Sequence, residues 1–561
     1  MQYLYTKEGE TLTGIPWEDY PRPLMRRKEW ISLNGEWEIK TQDGETHKIR
    51  VPFCPESILS GCGGKGFRSG ALHYKRCFRL PEKWRKKLIL LHFGAVSSKC
   101  EVFVNGKKVC EHDNGYLSFY ADVTEEVLWD GEDNLLEVFA ENDLSGRVPY
   151  GKQKVERGGM WYTPVSGIWQ TVWLEPVPER YFTGLRIRSD LSGAEITAEG
   201  MSEGVIICEE REYRLQDGKV RIEPEKPKHW SPESPSLYEF ILKSGEDLVT
   251  SYFALRSLSV EMAGGILRLC LNGKPYFFHG LLDQGYFSDG IYTPAVPDAF
   301  EKDILAMKAL GFNMLRKHVK IEPERFYYDC DRIGMVVFQD MVNNGDYRFL
   351  RDTVFPTFGI CNRSDERMHG DMETRNAFLK GMEGTVRQLY SHPCICCWTI
   401  FNEGWGQFGA DRAYERLKAL DETRFVDATS GWFHQKKSDF DSLHIYFEKL
   451  HLGKRRNLPQ VLSEFGGYVY KIPEHSYNLE KTYGYKIFGD REKYARAVRE
   501  VYLKEIVPLA EKGLCAAVFT QVSDVEDETN GILTFDRRVC KLKTGDMEGI
   551  ADALQAAVTK K

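Results

Sequence analysis

No stretch of this chain approaches the roughly 18 consecutive apolar residues that a bilayer-spanning helix needs. The opening Met1-Gln-Tyr-Leu-Tyr-Thr-Lys-Glu-Gly9 has neither the basic start nor the apolar core that directs secretion. No membrane partner is expected, and the chain reads as cytoplasmic. Basic excess is missing too: 76 Lys and Arg stand against 83 Asp and Glu, a formal net charge of −7. Without surplus cations to neutralise phosphates, nucleic acid is excluded as a partner. The 14 cysteines show no paired spacing, and Cys394, Cys396 and Cys397 alternate along one predicted strand with no histidine cluster nearby. They read as buried, reduced core thiols, not as a metal site. A nucleotide fingerprint is also lacking. Gly61-Cys-Gly-Gly-Lys-Gly66 has no Lys-Ser/Thr ending and no helix after it, so it reads as a surface loop. No cofactor is expected.

What is present is length and aromatic content. A chain of 561 residues is too long for one core and predicts several domains. Aromatics make up 13%, which suits stacking on sugar faces as well as packing large β-rich cores. Residues 1–178 carry short alternating runs with an Asn105-Gly106 hairpin signal between two of them, and predict a jelly-roll β-sandwich. Residues 179–257 hold a few short strands around a proline-rich turn, enough for one immunoglobulin-like β-sandwich. From 258 to 561 strands alternate with helices. Strands are expected at 276–282, 312–318, 335–340, 395–401, 425–429, 442–446, 460–463 and 514–521, with helices near 298–310 and 374–390. Eight such units predict a TIM barrel.

Two barrel segments carry chemistry. Trp398-Thr-Ile-Phe-Asn-Glu-Gly-Trp405 and Val461-Leu-Ser-Glu-Phe-Gly-Gly467 are apolar runs that each end in a glutamate, Glu403 and Glu464. A carboxylate at the junction of a buried strand and a loop is costly unless it has partners or a task. In the expected count these two close strands four and seven, on the barrel face where active sites are built. Paired carboxylates there can straddle a sugar ring, one giving a proton to the leaving oxygen and the other serving the opposite face. The bland alternative makes each glutamate a partner of a buried arginine.

These segments, with Gly159-Met-Trp-Tyr-Thr-Pro-Val-Ser-Gly-Ile-Trp-Gln-Thr-Val-Trp-Leu174, resemble glycoside hydrolase family 2, which includes β-galactosidases, β-glucuronidases and β-mannosidases. The order jelly roll, immunoglobulin-like sandwich and barrel is similar over nearly the whole chain. The resemblance implies that Glu403 is the general acid/base, Glu464 the nucleophile, and Asn402 a ligand of the sugar 2-hydroxyl. It also implies that Tyr446 donates to the nucleophile, that Arg316 keeps it ionised, and that Trp405 flanks the sugar. His444, Asp283 and Gln284 are further candidates for substrate binding.

The chain departs from the family where sugar identity is set. After strand eight, Asp527-Glu-Thr-Asn-Gly-Ile-Leu-Thr-Phe-Asp536 lacks the lysine with which family glucuronidases bind a substrate carboxylate, and Asp524, Glu526, Asp527 and Glu528 crowd the loop. A tryptophan usual on strand eight gives way to Phe519-Thr-Gln521, and the usual His-Tyr-Pro on strand two reads His318-Val-Lys320. Like charge would repel a uronic acid, so the expectation is a retaining exo-β-glycosidase of neutral sugars, β-galactosidase-like. The alternatives are a β-glucuronidase or α-L-arabinopyranosidase, or a sugar-binding protein without catalysis. A uronide preference would require Lys317, Lys320 or Arg348 to reach the pocket from another loop. The acidic loop shows no calcium-type ligand spacing, and a homo-oligomer is open to the chain.

Overall fold

Strict alternation builds the first sandwich. In Gly35–Lys40, Trp37 and Ile39 point into the core while Glu36, Glu38 and Lys40 face solvent. The computed structural model describes residues 2–42, 44–62, 70–357, 360, 364–366, 368–455 and 457–560, so Gly63 to Gly66 of the glycine-rich loop lie outside the described residues. Within them, a six-stranded and a four-stranded antiparallel sheet enclose Trp37, Tyr74, Leu91, Val102, Val138 and Leu174. Asn105 and Gly106, at φ 50° and 79°, turn Lys99–Val104 into Lys107–His112, the left-handed pair that a tight hairpin requires.

A three-stranded sheet with Ala194–Glu199 at its centre packs on a four-stranded one containing Tyr238–Ser244, around Ile196, Ile206, Phe240 and Val249. Between this sandwich and the barrel lies a small three-stranded sheet that the sequence did not reveal, led by the hairpin Leu258–Ala263 and Ile266–Leu271. Arg268 fastens it to the barrel by donating from Nη1 to Ala510 O at 2.6 Å.

Eight parallel strands follow: β1 Phe278–Asp283, β2 Met314–Lys317, β3 Val336–Asp340, β4 Ile395–Asn402, β5 Phe425–Ser430, β6 Asp441–Ile445, β7 Gln460–Gly466 and β8 Leu514–Thr520. Their hydrogen-bonded order is β5-β4-β3-β2-β1-β8-β7-β6. The seam between β5 and β6 has no strand ladder; it is bridged by Ser442 Oγ donating to Asp427 Oδ1 at 2.9 Å and by Asp439 N donating to Val426 O at 3.0 Å. The expected strands all appear, shifted by a few residues. The consequential shift is β7, which runs on to Gly466 and so carries Glu464 inside the strand rather than just beyond it.

The jelly roll reaches over the barrel mouth through residues 143–166. Tyr150 N donates to Asn343 O at 3.0 Å and its hydroxyl to Gly345 O at 2.9 Å, past the end of β3. Thr163 N donates to Glu526 Oε1 at 2.9 Å, and the Tyr162 hydroxyl bonds Glu528, both beyond β8. Two domains therefore share one rim.

Candidate active site

Glu403 leaves β4 in the left-handed region, at φ 50°, held by its own N–H donating to Ser430 O at 2.9 Å. A non-glycine residue there is uncommon and is kept only where its surroundings over-determine it. The turn continues through Gly404 at φ 75°, where a Cβ would stand 2.4 Å from the Phe433 ring. Glu464 is aimed differently. The ladder pairs Leu443 with Leu462 and then His444 with Glu464, so Ser463 is an extra residue, and such a bulge re-aims the next side chain.

The two carboxyl groups meet around His444. One oxygen of each and one imidazole nitrogen all lie within 4.8 Å of one another. His444 Nδ1 is 2.8 Å from Glu403 Oε1. Its other nitrogen, Nε2, lies 3.1 Å from the Ser430 hydroxyl, 3.4 Å from Arg316 Nη1 and 3.6 Å from Glu464 Oε1. Its bond to one oxygen of Glu403 leaves the other oxygen free to carry a proton.

Arg316 organises the far side. Its Nη1 donates to Glu464 Oε1 at 3.0 Å, its Nε and Nη2 grip both oxygens of Asp340 at 3.0 and 3.1 Å, and Nη2 also reaches Asn402 Oδ1 at 2.8 Å. Tyr446 donates to Glu464 Oε2 at 2.5 Å and lies 3.0 Å from Thr520 Oγ1. These unequal partners push the two carboxyls apart. Burial raises Glu403 and the charge of Glu464 raises it further, against the hydrogen bond from His444. Burial acts on Glu464 in the same sense but is outweighed by His444, Arg316, His318 and the Tyr446 hydroxyl, which hold it well below the usual carboxylate range. The opposite shifts favour a proton on Glu403 and charge on Glu464. Glu403, His444 and Glu464 could also converge on a cation. Arg316, already bonded to Glu464, would repel one, and the arrangement fits proton transfer better.

Of the remaining expected residues, Asn402 and Trp405 lie with this group. Asn402 Nδ2 and Trp405 Nε1 are buried donors with no partner, so they are available to a polar ligand. Trp405 packs against Trp161 from the jelly roll and Tyr347, with ring centres 5.5 and 5.9 Å away. Asp283 is placed otherwise: it accepts from Lys317 Nζ at 2.6 Å and from Gly285 N at 2.9 Å, an ion pair internal to the scaffold rather than a free acceptor for hydroxyls. Gln284 donates to Gln521 Oε1 at 2.8 Å, leaving Gln521 Nε2 unpartnered.

Residues not foreseen as part of the site are Asp340, His318, Ser430, Trp161, Tyr347 and Lys152. Asp340 had a signal, since it closes an apolar strand in the same way as the two glutamates. Ser430 ends β5 as an unremarkable small residue, and the others come from loops or another domain, where no local pattern marks them. His318 bonds Asp340 Oδ2 through Nδ1 at 2.8 Å, and burial together with the nearby Lys152 charge lowers it to about 4.

A TIM barrel with an acid and an ionised carboxylate at its rim, roofed by a jelly roll, defines a class of carbohydrate-active barrel protein. Two family descriptions match this chain: "Glycosyl hydrolases family 2, TIM barrel domain" over residues 264–464 and "Glycosyl hydrolases family 2, sugar binding domain" over residues 65–178. A β-glucuronidase of Bacteroides fragilis is 24% identical over 415 residues, 68% of this chain and 57% of that protein. A β-galactosidase of Aeromonas hydrophila is 28% identical over 405 residues, 64% of this chain and 36% of that one. The chain thus spans about half the length, or less, of these relatives. The solved β-D-glucuronidase of Dictyoglomus thermophilum shares the fold, with TM-score 0.74 at 19% identity, covering 97% of this chain and 99% of that one. The protein belongs to glycoside hydrolase family 2.

Proposed function

We propose that this protein is a retaining exo-β-glycosidase. The observation that carries the reading is the approach of Glu403 and Glu464, with oxygens inside 4.8 Å. Retaining enzymes place their carboxyls roughly 5–5.5 Å apart, whereas inverting ones need about 6.5–9.5 Å to admit a water. In the first step Glu464 attacks the anomeric carbon while Glu403 gives its proton to the departing glycosidic oxygen. In the second a water attacks the glycosyl-enzyme ester, Glu403 takes its proton, and the sugar leaves with its configuration kept. Asn402 Nδ2 and Trp405 Nε1 are free donors for sugar hydroxyls. The jelly-roll segment bonded to residues past β3 and β8 covers part of the rim, which supports removal of single terminal sugars.

The test is proton NMR of the sugar first released from p-nitrophenyl β-glycosides. The β-anomer should appear first, and an initial α-anomer would overturn the mechanism. On the choice of sugar, one observation weakens the expected bar against acids. The carboxylates after β8 are committed: Asp524 to Lys541 at 2.6 Å, Glu526 to Arg157 at 3.0 Å, Asp527 to Asn478 at 2.7 Å and Glu528 to the Tyr162 hydroxyl. Two of the four thus sit on cations, which lessens the repulsion a uronide would meet, while Asp527 and Glu528 keep their charge.

A further inference from the structure

The cations expected to serve an acidic sugar are occupied. Lys317 Nζ bonds Asp283 and Glu322, Lys320 Nζ bonds Glu322 and two carbonyls, and Arg348 pairs with Asp346. Lys152, from the jelly-roll segment over the mouth, is not. It is only 6% exposed, yet its Nζ makes no hydrogen bond and no ion pair among the described residues. It faces two aromatic rings instead, Tyr162 at 5.5 Å and Trp405 at 5.8 Å. Trp405 lies two residues past Glu403 and 6.1 Å from the His318 ring, and the Lys152 charge bears on both Glu403 and His318. A largely enclosed ammonium without a counter-ion is costly, and a substrate anion would offset that cost. The surroundings are ready for one. Trp405 Nε1 and both polar atoms of the Asn343 amide are buried and unpartnered, and Asn343 O receives Tyr150 N two residues before Lys152.

We infer that Lys152 is the receptor for a carboxylate on the bound sugar, so that the jelly-roll domain, not the loop after β8, selects an acidic monosaccharide. This rests on the glycosidase reading above and adds the class of sugar. Lys152 reaches the barrel because Tyr162 N donates to Lys152 O at 3.0 Å, and the Tyr162 hydroxyl bonds Glu528. The acid of the β8 loop thereby buttresses the cation's platform instead of opposing the substrate.

The experiment compares kcat/KM for p-nitrophenyl β-D-glucuronide and β-D-galacturonide with that for the β-D-glucoside and β-D-galactoside. At least one uronide should exceed both neutral substrates by tenfold or more. Lys152→Met should lower the uronide-to-neutral ratio at least a hundredfold, mainly through KM, and Lys152→Arg should restore most of it. An equal loss on both substrate kinds would mark Lys152 as structural and overturn the inference. If the methionine variant does not fold, inhibition of the unaltered protein decides: free glucuronic or galacturonic acid should inhibit more tightly than the matching neutral sugar, and the reverse order would overturn it. Turnover of neutral glycosides with poor turnover of uronides sinks this inference alone. No turnover of any glycoside sinks the glycosidase reading beneath it.

Discussion

Two clusters of buried charge occupy the mouth of the barrel, each joining carboxyl groups to basic side chains but left in different states. Over β1 and β2, Lys317 joins Asp283 to Glu322, and Lys320 closes on Glu322 as well. Two ammonium groups meet two carboxylates, and nothing is left over. Over β4, β6 and β7, one guanidinium, Arg316, is shared between Asp340 and Glu464, while Glu403 is given only an imidazole. That cluster has one more carboxyl than its guanidinium and the nearby Lys152 charge can comfortably ionise. A deficit in a dry pocket is met by protonation, and the carboxyl with the weakest partner takes the proton. The contrast shows why similar acids at similar strand ends are matched by cations in one place and left with unequal partners in another, as the proposed acid and nucleophile require.

The harshest way to break the second cluster is to remove the group that receives the sugar. Glu464→Ala should abolish the covalent step and reduce kcat by several orders of magnitude. Azide should restore part of the turnover and give an inverted glycosyl azide, and near-normal activity without azide would refute the assignment. Glu403→Gln keeps the shape but not the proton. General-acid help is worth about 10²–10⁴-fold, so kcat, whose second step also needs Glu403 as base, should fall on every substrate, while the loss in kcat/KM should fall on glycosides with poor leaving groups and nearly vanish on dinitrophenyl glycosides. Equal losses on both would move the acid role elsewhere.

Arg316→Met sharpens the comparison by deepening the deficit. The guanidinium favours the ionised form of Glu464, so its removal raises the pKa of the nucleophile. The acid limb of kcat/KM, where Glu464 must lose its proton, should move to higher pH by about one unit or more, as expected for losing an opposite charge at hydrogen-bond distance. The alkaline limb, set by the proton on Glu403, should move less. An unmoved acid limb would mean that Tyr446 and His444 suffice to keep Glu464 ionised.

Much of this cluster was legible in the chain. Glu403 and Glu464 stand out because an apolar strand that ends in an acid is costly without purpose, and Asn402, Arg316 and Tyr446 follow as neighbours at strand ends. The same rule, however, selects Asp283, which the fold spends on Lys317, since strand position says nothing about which cation will lie across the groove. Asp340 was equally marked and went unread for its place beneath Arg316. Lys152 and Trp161 could not be read locally, because they sit in an irregular segment of another domain. The hint was the length of that segment, 143–166, since long structureless loops in compact domains are commonly functional. The acids after β8 misled for a related reason: their partners, Lys541, Arg157, Asn478 and Tyr162, are distant in sequence or belong to the jelly roll.

The mildest expected effect on catalysis comes from breaking the balanced cluster. Lys317→Met leaves the aliphatic stem over the Phe326 ring, where the ammonium now lies 4.2 Å from the centroid, but strands Asp283 in a buried site without its cation. Removing one partner of a buried pair costs about 3–5 kcal/mol, so the unfolding midpoint should fall clearly. Asp283 is now held below its ordinary value, with burial opposed chiefly by Lys317. Its folded pKa should therefore rise, and the stability it contributes above the unfolded carboxylate pKa should be lost. The variant should recover part of its stability as the pH is lowered and Asp283 takes up a proton. The limbs of the pH–rate profile should stay within about half a unit of their original positions, because the groups that set them answer to Arg316 and His444. A shift of the acid limb as large as that of Arg316→Met would show that the two clusters titrate as one.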